Sequence, residues 1–159
     1  MEGKPAIIAL LQRAVSAESQ ARSQYTSDAE WMERVGLGGL ADFFRARAAE
    51  EAEHFQKFAA RLEQFFAHAI TAPMATLAFG SITELLRHQL GLETQAITLY
   101  TEACLQCLAD ADYTSFGIFQ EILADENEHA AYLEGQLYLI AQMGEGNYLQ
   151  GYIQLPEVK

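Results

Sequence analysis

The chain has 159 residues, half of them hydrophobic, and its 22 acidic and 10 basic residues give a formal net charge of -12. This length can bury a substantial core without disulfides or a structural metal, so we expect one domain over residues 1–159. The acidic balance repels nucleic acid and anionic lipid and attracts cations, which argues against nucleic-acid and membrane binding.

No part of the sequence predicts a membrane span or a secretory signal. The N-terminal apolar run soon ends in charge. The least polar segment, AITAPMATLAFG, contains Pro73 and is shorter than the roughly 20 residues that cross a bilayer. Cys104 and Cys107 form a single Cys-x-x-Cys, without the second pair that a four-thiolate metal site needs. We therefore expect reduced thiols and a cytoplasmic protein.

Apolar spacing predicts two long helices in the first half of the chain. Hydrophobic residues recur every three or four positions over residues 5–35 and again over residues 40–67. Between these stretches the pattern is broken by Gly36, Gly38 and Gly39, which predict a tight turn. The first two helices therefore form one antiparallel hairpin.

The second half repeats this organisation after the AITAPMATLAFG crossover. Ser81 and Glu84 give a Ser-x-x-Glu cap for a third helix that runs to about residue 109, and Asp112 is the predicted cap of a fourth. The fourth helix is expected to stop after Met143, at Gly144 and Gly146, and the tail NYLQGYIQLPEVK has room for a short fifth helix before Pro156. The prediction is an all-α four-helix bundle of two antiparallel hairpins with a long crossover, plus a short C-terminal helix.

Two Glu-x-x-His motifs give the first sign of a metal site. His54 follows Glu51 by three residues, and His129 follows Glu126 by three. Positions i and i+3 share a helix face, so each motif can direct an oxygen and a nitrogen at one point. Because glutamate is common in this chain, the motifs alone are weak evidence.

Matching acids lie on the apolar faces of the first and third helices. Glu18 precedes Tyr25 by seven residues, and Glu93 precedes Tyr100 by seven. The separations from Glu18 and from Glu93 to the glutamate of the following motif are both 33 residues. An internal two-fold repeat is therefore predicted to place four carboxylates and two imidazoles at one level of the bundle.

Four buried carboxylates need compensating charge, since each costs several kcal/mol to desolvate. Two divalent cations would supply it, and a mixed oxygen and nitrogen set with bridging glutamates favours iron or manganese over zinc or calcium. The alternative is a bundle of buried acid and histidine pairs without metal. The predicted metal ligands are Glu18, Glu51, His54, Glu93, Glu126 and His129.

Nearly the whole chain resembles the bacterioferritins of the ferritin-like superfamily. Besides the ligand pattern, the resemblance rests on Gln24-Tyr25, on Gly36-Leu37 and on the C-terminal stretches LIAQMG and NYLQ. It implies a shell of 24 subunits that oxidises Fe(II) with oxygen or hydrogen peroxide at a di-iron centre in each subunit and stores the ferric product as mineral.

The resemblance also implies a role for each ligand. The bridging ligands of the two iron ions would be Glu51 and Glu126. One ion would be completed by Glu18 and His54, and the other by Glu93 and His129. Tyr25 would hydrogen-bond a ligand carboxylate or give up an electron during oxygen reduction. Its counterpart in the internal repeat is Tyr100, which the family pattern does not demand. The remaining histidines, His68 and His88, lie outside this constellation.

The chain departs from the family pattern on its second helix. Haem-binding members use a methionine directly after the first ligand of this helix, and here that position is Ala52. An alanine offers no thioether to iron, so we expect no haem in a homo-oligomer, whereas a mixed shell with a haem-binding paralogue stays open. Phe44, Ala46 and Arg47 stand where the family often has acids or histidine, which could alter iron entry.

Two other functions use the same ligand set. One is a di-iron peroxidase or hydroxylase without storage, although two cysteines are too few for an attached rubredoxin module. The other is a structural subunit of a mixed shell, with metal bound for stability and little turnover.

Overall fold

The computed structural model describes residues 4–73 and 75–153. Its elements are α1 (Pro5–Arg34), α2 (Gly38–Gln64), α3 (Ile82–Ala109), α4 (Tyr113–Met143), α5 (Glu145–Leu149) and a 3-10 turn (Gln150–Tyr152). α1 packs along α2, α3 packs along α4, and the segment between α2 and α3 crosses over from one hairpin to the other. The described residues include no strand, so the predicted all-α four-helix bundle with a short C-terminal helix is confirmed.

α1 ends at the predicted glycine turn. Gly36 has φ 82, and the backbone N–H groups of Gly36 and Leu37 bond back to the carbonyls of Glu33 and Met32. This pair of bonds satisfies carbonyl groups that the helix end leaves free, and its left-handed residue favours glycine. Gly38 lies inside α2, which therefore begins two residues before the predicted Leu40.

α2 and α3 end with the same hydrogen-bond pattern but without glycine. Phe66 and Ala111 take the left-handed conformation, with φ 59 and 53, and the N–H groups around them bond back into the preceding helix. α2 consequently ends at Gln64, before the predicted end near Ala67. The predicted end of α3 at Ala109 is confirmed.

The predicted helix caps are confirmed. The Ser81 hydroxyl accepts a hydrogen bond from the Glu84 N–H at 3.2 Å, and Asp112 accepts one from the Ser115 N–H at 3.0 Å. Gly144, at φ 80, ends α4, but Gly146 lies within α5, so the predicted break there was wrong. Pro156 lies outside the described residues.

Two apolar clusters fill opposite ends of the bundle. One is built around Leu11, Phe58 and Phe119, and the other around Met32 and Phe44. Between them lies a layer whose buried side chains are acids and histidines. None of the described helices has the length and apolar character needed to cross a membrane.

Candidate metal centre

The six side chains predicted as ligands converge in this layer, and each is at most 3 % exposed. Their ligand atoms form two groups, and within each group these atoms lie within 4.8 Å of one another. The first group is Glu18, Glu51, His54 and Glu126, and the second is Glu51, Glu93, Glu126 and His129. The structure therefore brings together all six residues, in two sets that could bind two metal ions.

The glutamates shared by both sets span the two halves. Glu51 directs Oε2 at His54 Nδ1, 3.3 Å away, and Oε1 at His129 Nδ1, 3.5 Å away. Glu126 does the same, with Oε1 3.2 Å from His54 Nδ1 and Oε2 3.1 Å from His129 Nδ1. Each carboxylate thus offers one oxygen to each half. The two imidazole rings lie nearly parallel, with centroids 6.2 Å apart.

The atoms that face the centre lack hydrogen-bond partners in the described part of the chain. They are both carboxylate oxygens of Glu51, both of Glu126, and Nδ1 of His54 and of His129. Buried polar atoms are nearly always paired, so a group of unpaired ones needs a cause. Two divalent cations fit this arrangement, because both oxygens and imidazole nitrogens are available to bind them.

Two buried tyrosines support the outer glutamates in a crosswise manner. The Tyr25 hydroxyl, on α1, donates a hydrogen bond to Glu93 on α3, and the Tyr100 hydroxyl, on α3, donates one to Glu18 on α1. Both tyrosines are fully buried. Each phenol therefore ties together the two helices that carry the outer carboxylates, and Tyr100 is a structural counterpart of Tyr25.

In the metal-free protein the pKa values of four of the six predicted ligands are raised, so that protonation is favoured at both histidines and at the two outer glutamates. Burial disfavours the charged form of His54, but the surrounding carboxylates outweigh burial and raise its pKa to about 12. The pKa of His129 rises to about 10 by the same balance. Burial also raises the pKa of Glu93 to about 9 and that of Glu18 well above its usual value. For Glu51 the imidazoles outweigh burial and lower the pKa to about 2.

Glu50 and Asp125 contact the outer nitrogens of the two histidines, and neither contact was predicted from the sequence. Glu50 Oε2 lies 2.9 Å from His129 Nε2, and Asp125 Oδ2 lies 3.3 Å from His54 Nε2. A signal existed, since each acid directly precedes a glutamate that belongs to both ligand sets. Helix periodicity directs Glu50 away from the centre, but its long side chain reaches sideways to α4.

The centre can be reached from two faces of the bundle. A cleft of about 600 Å³ between α1 and α3 extends to Glu18 and Glu93 and has mainly apolar walls. A smaller recess of about 220 Å³ between α2 and α4 is lined by charged side chains and reaches His54 and His129. Ions and small molecules therefore have two chemically different approaches to the same residues.

The remaining histidines and cysteines lie away from the centre. His68 is exposed, and His88 packs against Phe79, with ring centroids 5.1 Å apart. Cys104 and Cys107 are free, buried thiols within the apolar cluster, and burial raises the pKa of both. Neither cysteine belongs to a metal-binding group among the described residues.

Comparison with known proteins agrees with the fold. Residues 8–143 match the family model for the ferritin-like domain. Bacterioferritin from Streptomyces coelicolor is 32% identical over 155 residues, which cover 97% of this chain and 93% of that protein. A bacterial ferritin from Synechocystis is 32% identical (94% and 97% covered), and bacterioferritin from Brucella melitensis is 33% identical (94% of each). This chain therefore belongs to the bacterioferritins of the ferritin-like family.

Proposed function

We propose that the protein is a ferroxidase and iron-storage subunit. Its iron-binding residues would be Glu18, Glu51, His54, Glu93, Glu126 and His129, and the bound Fe(II) is both substrate and cargo. The observation that carries this proposal is the group of unpaired oxygen and nitrogen atoms around the centre. Membership of the bacterioferritins supports iron as the metal.

Some side chains of the centre would bind the iron ions, and others would orient the side chains that bind them. The carboxylates of Glu51 and Glu126 would bridge, since each presents one oxygen to each half. The paired ferrous ions supply two electrons and the solvent supplies two protons, which together reduce oxygen to hydrogen peroxide or hydrogen peroxide to water. The Tyr25 hydroxyl holds the Glu93 carboxylate from across the bundle, and the resemblance implies that this phenol could yield a further electron.

The ferric product would leave the centre for a common interior. We propose that 24 copies of the chain form a closed shell in which the product collects as mineral, as the family relationship suggests. Ala52 stands at the position where haem-binding members carry a methionine, so a shell made of this chain alone would hold no haem. A mixed shell with a methionine-bearing subunit would restore haem sites, and there this chain could act mainly as a structural subunit.

Oxygen consumption after addition of Fe(II) tests the ferroxidase proposal. The purified chain should consume oxygen rapidly, and the double variant His54→Ala/His129→Ala should lose at least about 100-fold in rate because each half loses its nitrogen ligand. The double variant His68→Ala/His88→Ala is the matched control, since it removes the other two histidines of the chain. Unchanged oxygen uptake in the first variant would refute the proposed centre.

A peroxidase without storage predicts a different outcome when Fe(II) and hydrogen peroxide are supplied together. It would consume hydrogen peroxide but leave Fe(III) in solution or bound at only two ions per chain. The apolar cleft beside Glu18 and Glu93 is the feature that would favour this alternative, because a small organic molecule could occupy it. Retention of many Fe(III) ions per chain in a soluble particle would exclude it.

A further inference from the structure

Glu50 and Asp125 are equivalent positions in the two halves of the bundle. They are separated by the same 75 positions that separate Glu51 from Glu126. Their side chains are similarly exposed, at 41% and 45%. An ionised carboxylate accepts hydrogen bonds but cannot donate them. Each histidine therefore donates from Nε2 to its acid and turns Nδ1 toward the centre. Both acids therefore fix which ring nitrogen faces the metal.

The two halves nevertheless differ in what stands behind the acid. Arg47 Nη1 lies 2.7 Å from Glu50 Oε2, the same oxygen that accepts from His129. The repeat equivalent of Arg47 is Ile122, a buried core residue that cannot form an ion pair. The Asp125 contact to His54 is also longer, at 3.3 Å against 2.9 Å for the Glu50 contact, beyond the usual range for a strong bond.

Arg47 is itself held in place. Its guanidinium carbon lies 5.1 Å from the centroid of the Phe43 ring, and Phe43 stacks on Tyr132 with centroids 4.3 Å apart. An arginine that stacks on an aromatic ring loses little further freedom when it binds a carboxylate. The chain Phe43, Arg47, Glu50 therefore links the His129 ring to a fixed part of the bundle.

We propose that Glu50 and Asp125 are positioning residues for His129 and His54, and that Arg47, by binding Glu50 alone, makes the His129 half hold its metal ion more tightly than the His54 half. This inference rests on the metal centre of the proposed function. The positive charge of Arg47 opposes cation binding, but Arg47 is partly exposed and already paired with Glu50, so solvent screens this effect. The gain from a fixed imidazole is a contact effect that solvent does not screen.

Anaerobic titration with Co(II), followed by visible absorbance, separates the two halves. The unvaried chain should bind two Co(II) ions in steps of unequal affinity, and His129→Ala should remove the tighter step. Glu50→Ala should weaken that step by about 10- to 100-fold, the usual effect of losing the carboxylate behind a histidine ligand. Arg47→Met should weaken the same step by a smaller factor, and Asp125→Ala should weaken the other step.

Two further variants show that positioning, not bulk or local charge, is responsible. Glu50→Gln keeps an oxygen that can accept from His129 Nε2–H and should recover part of the affinity lost in Glu50→Ala. Glu53→Ala removes an exposed acid that lines the same recess and should leave both steps unchanged. The unfolding midpoints of the metal-free variants, measured in parallel, should stay close to that of the unvaried chain.

The outcomes distinguish this inference from the proposed function. Fewer than two Co(II) ions bound by the unvaried chain would refute the metal centre itself. Two bound ions, with Glu50→Ala and Arg47→Met weakening both steps equally or neither step, would overturn the inference and leave the centre intact. Loss of the weaker step in His129→Ala would also overturn it.

Discussion

In the metal-free protein, the buried acids and histidines share protons so that the layer carries little net charge. The raised pKa values of His54 and His129 leave both rings positive at neutral pH, opposite the ionised Glu51. The raised pKa values of Glu93 and Glu18 keep these two acids neutral. Protons therefore balance the charge without metal, but the atoms that face the centre still make no well-aligned hydrogen bond with the described residues.

Metal binding at neutral pH should release these protons. Ligands bind in their deprotonated forms, so two imidazole and two carboxyl groups per chain would lose about four protons to two divalent ions. Apparent affinity should therefore rise with pH. The measurement is anaerobic Co(II) addition in weakly buffered solution with a pH indicator. Release of fewer than two protons per chain would contradict the ionisation pattern described here.

The metal-free protein should also become less stable as the pH rises. The pKa of His54 is higher in the folded chain than its usual value of 6.5, so its contribution is complete below that value and is lost as the pH approaches about 12. Glu93 acts in the same direction, because it must ionise in a buried site as the pH passes about 9. Urea unfolding of the metal-free chain at pH 7 and pH 10 checks this expectation, and bound metal should remove the difference.

The sequence predicts which side chains share one face of a helix, but not which side chains reach across to a neighbouring helix. The six proposed ligands follow from spacings of three and 33 residues, because helix geometry turns such spacings into shared faces. Glu50 and Asp125 could not be assigned in this way, since their partners lie on another helix and their contacts depend on side-chain reach. Tyr100 was identified as a counterpart of Tyr25, but its partner, Glu18, is evident only from the packing of α1 against α3.

Among the elements, the crossover is fastened to α1 by one buried amide. Gln24 Nε2 donates to the Leu77 carbonyl at 2.9 Å, and Gln24 Oε1 accepts from the Leu77 N–H at 2.8 Å. The same Nε2 donates to Asp28 Oδ1 at 2.8 Å, while Gln89 donates to Asp28 Oδ2 at 2.7 Å. Burial nonetheless raises the pKa of Asp28 to about 6, despite these two donors. This cluster connects α1, α3 and the crossover.

Gln24→Ala should loosen the crossover and leave a buried acid with one donor fewer. We expect a loss of about 2 kcal/mol in the free energy of unfolding, measured in urea, together with faster hydrogen exchange at Leu77. The loss should be greater at pH 8 than at pH 5, because Asp28 is ionised above its pKa of about 6 and then needs both donors. Ser23→Ala, on the exposed side of α1, is the control and should change stability by less than about 0.5 kcal/mol. Equal losses in both variants would contradict the role of Gln24.

Helix existence could be predicted from periodicity, whereas the end of α2 could not. The glycine at position 36 indicates the end of α1. The turns that follow α2 and α3 contain Phe66 and Ala111 instead, and such residues rarely take the left-handed conformation. The end of α3 was placed correctly because Asp112, the cap of the next helix, limits where α3 can run.

Over the whole molecule, the polar layer lies between two apolar clusters. Each end of the bundle has its own core, so the buried acids and histidines are held by packing on both sides. The two-fold repeat of the sequence predicted that four carboxylates and two imidazoles lie at one level of the bundle. How copies of the chain assemble could not be read from helix patterns, because a surface that is exposed in one chain can be covered by another. The crossover, for example, exposes three large apolar side chains: Phe66, Ile70 and Leu77.

Assembly should produce one large species that mineralises iron. For 24 chains of 17.7 kDa, light scattering after size-exclusion chromatography should give about 425 kDa, and aerobic Fe(II) loading should give an electron-dense interior.

Absorbance of the purified particle should lack a haem band, and Ala52→Met should acquire one on incubation with haem. A small metal-binding oligomer would contradict the storage role, and a large particle that stays free of mineral would favour a structural subunit.

Anomalous diffraction from a crystal soaked anaerobically in ferrous salt tests the central claim most directly. We expect two iron peaks per chain, both in contact with Glu51 and Glu126, one completed by Glu18 and His54 and the other by Glu93 and His129. A soaked crystal without iron density between the four helices, or with iron only at exposed acids, would contradict the proposed centre.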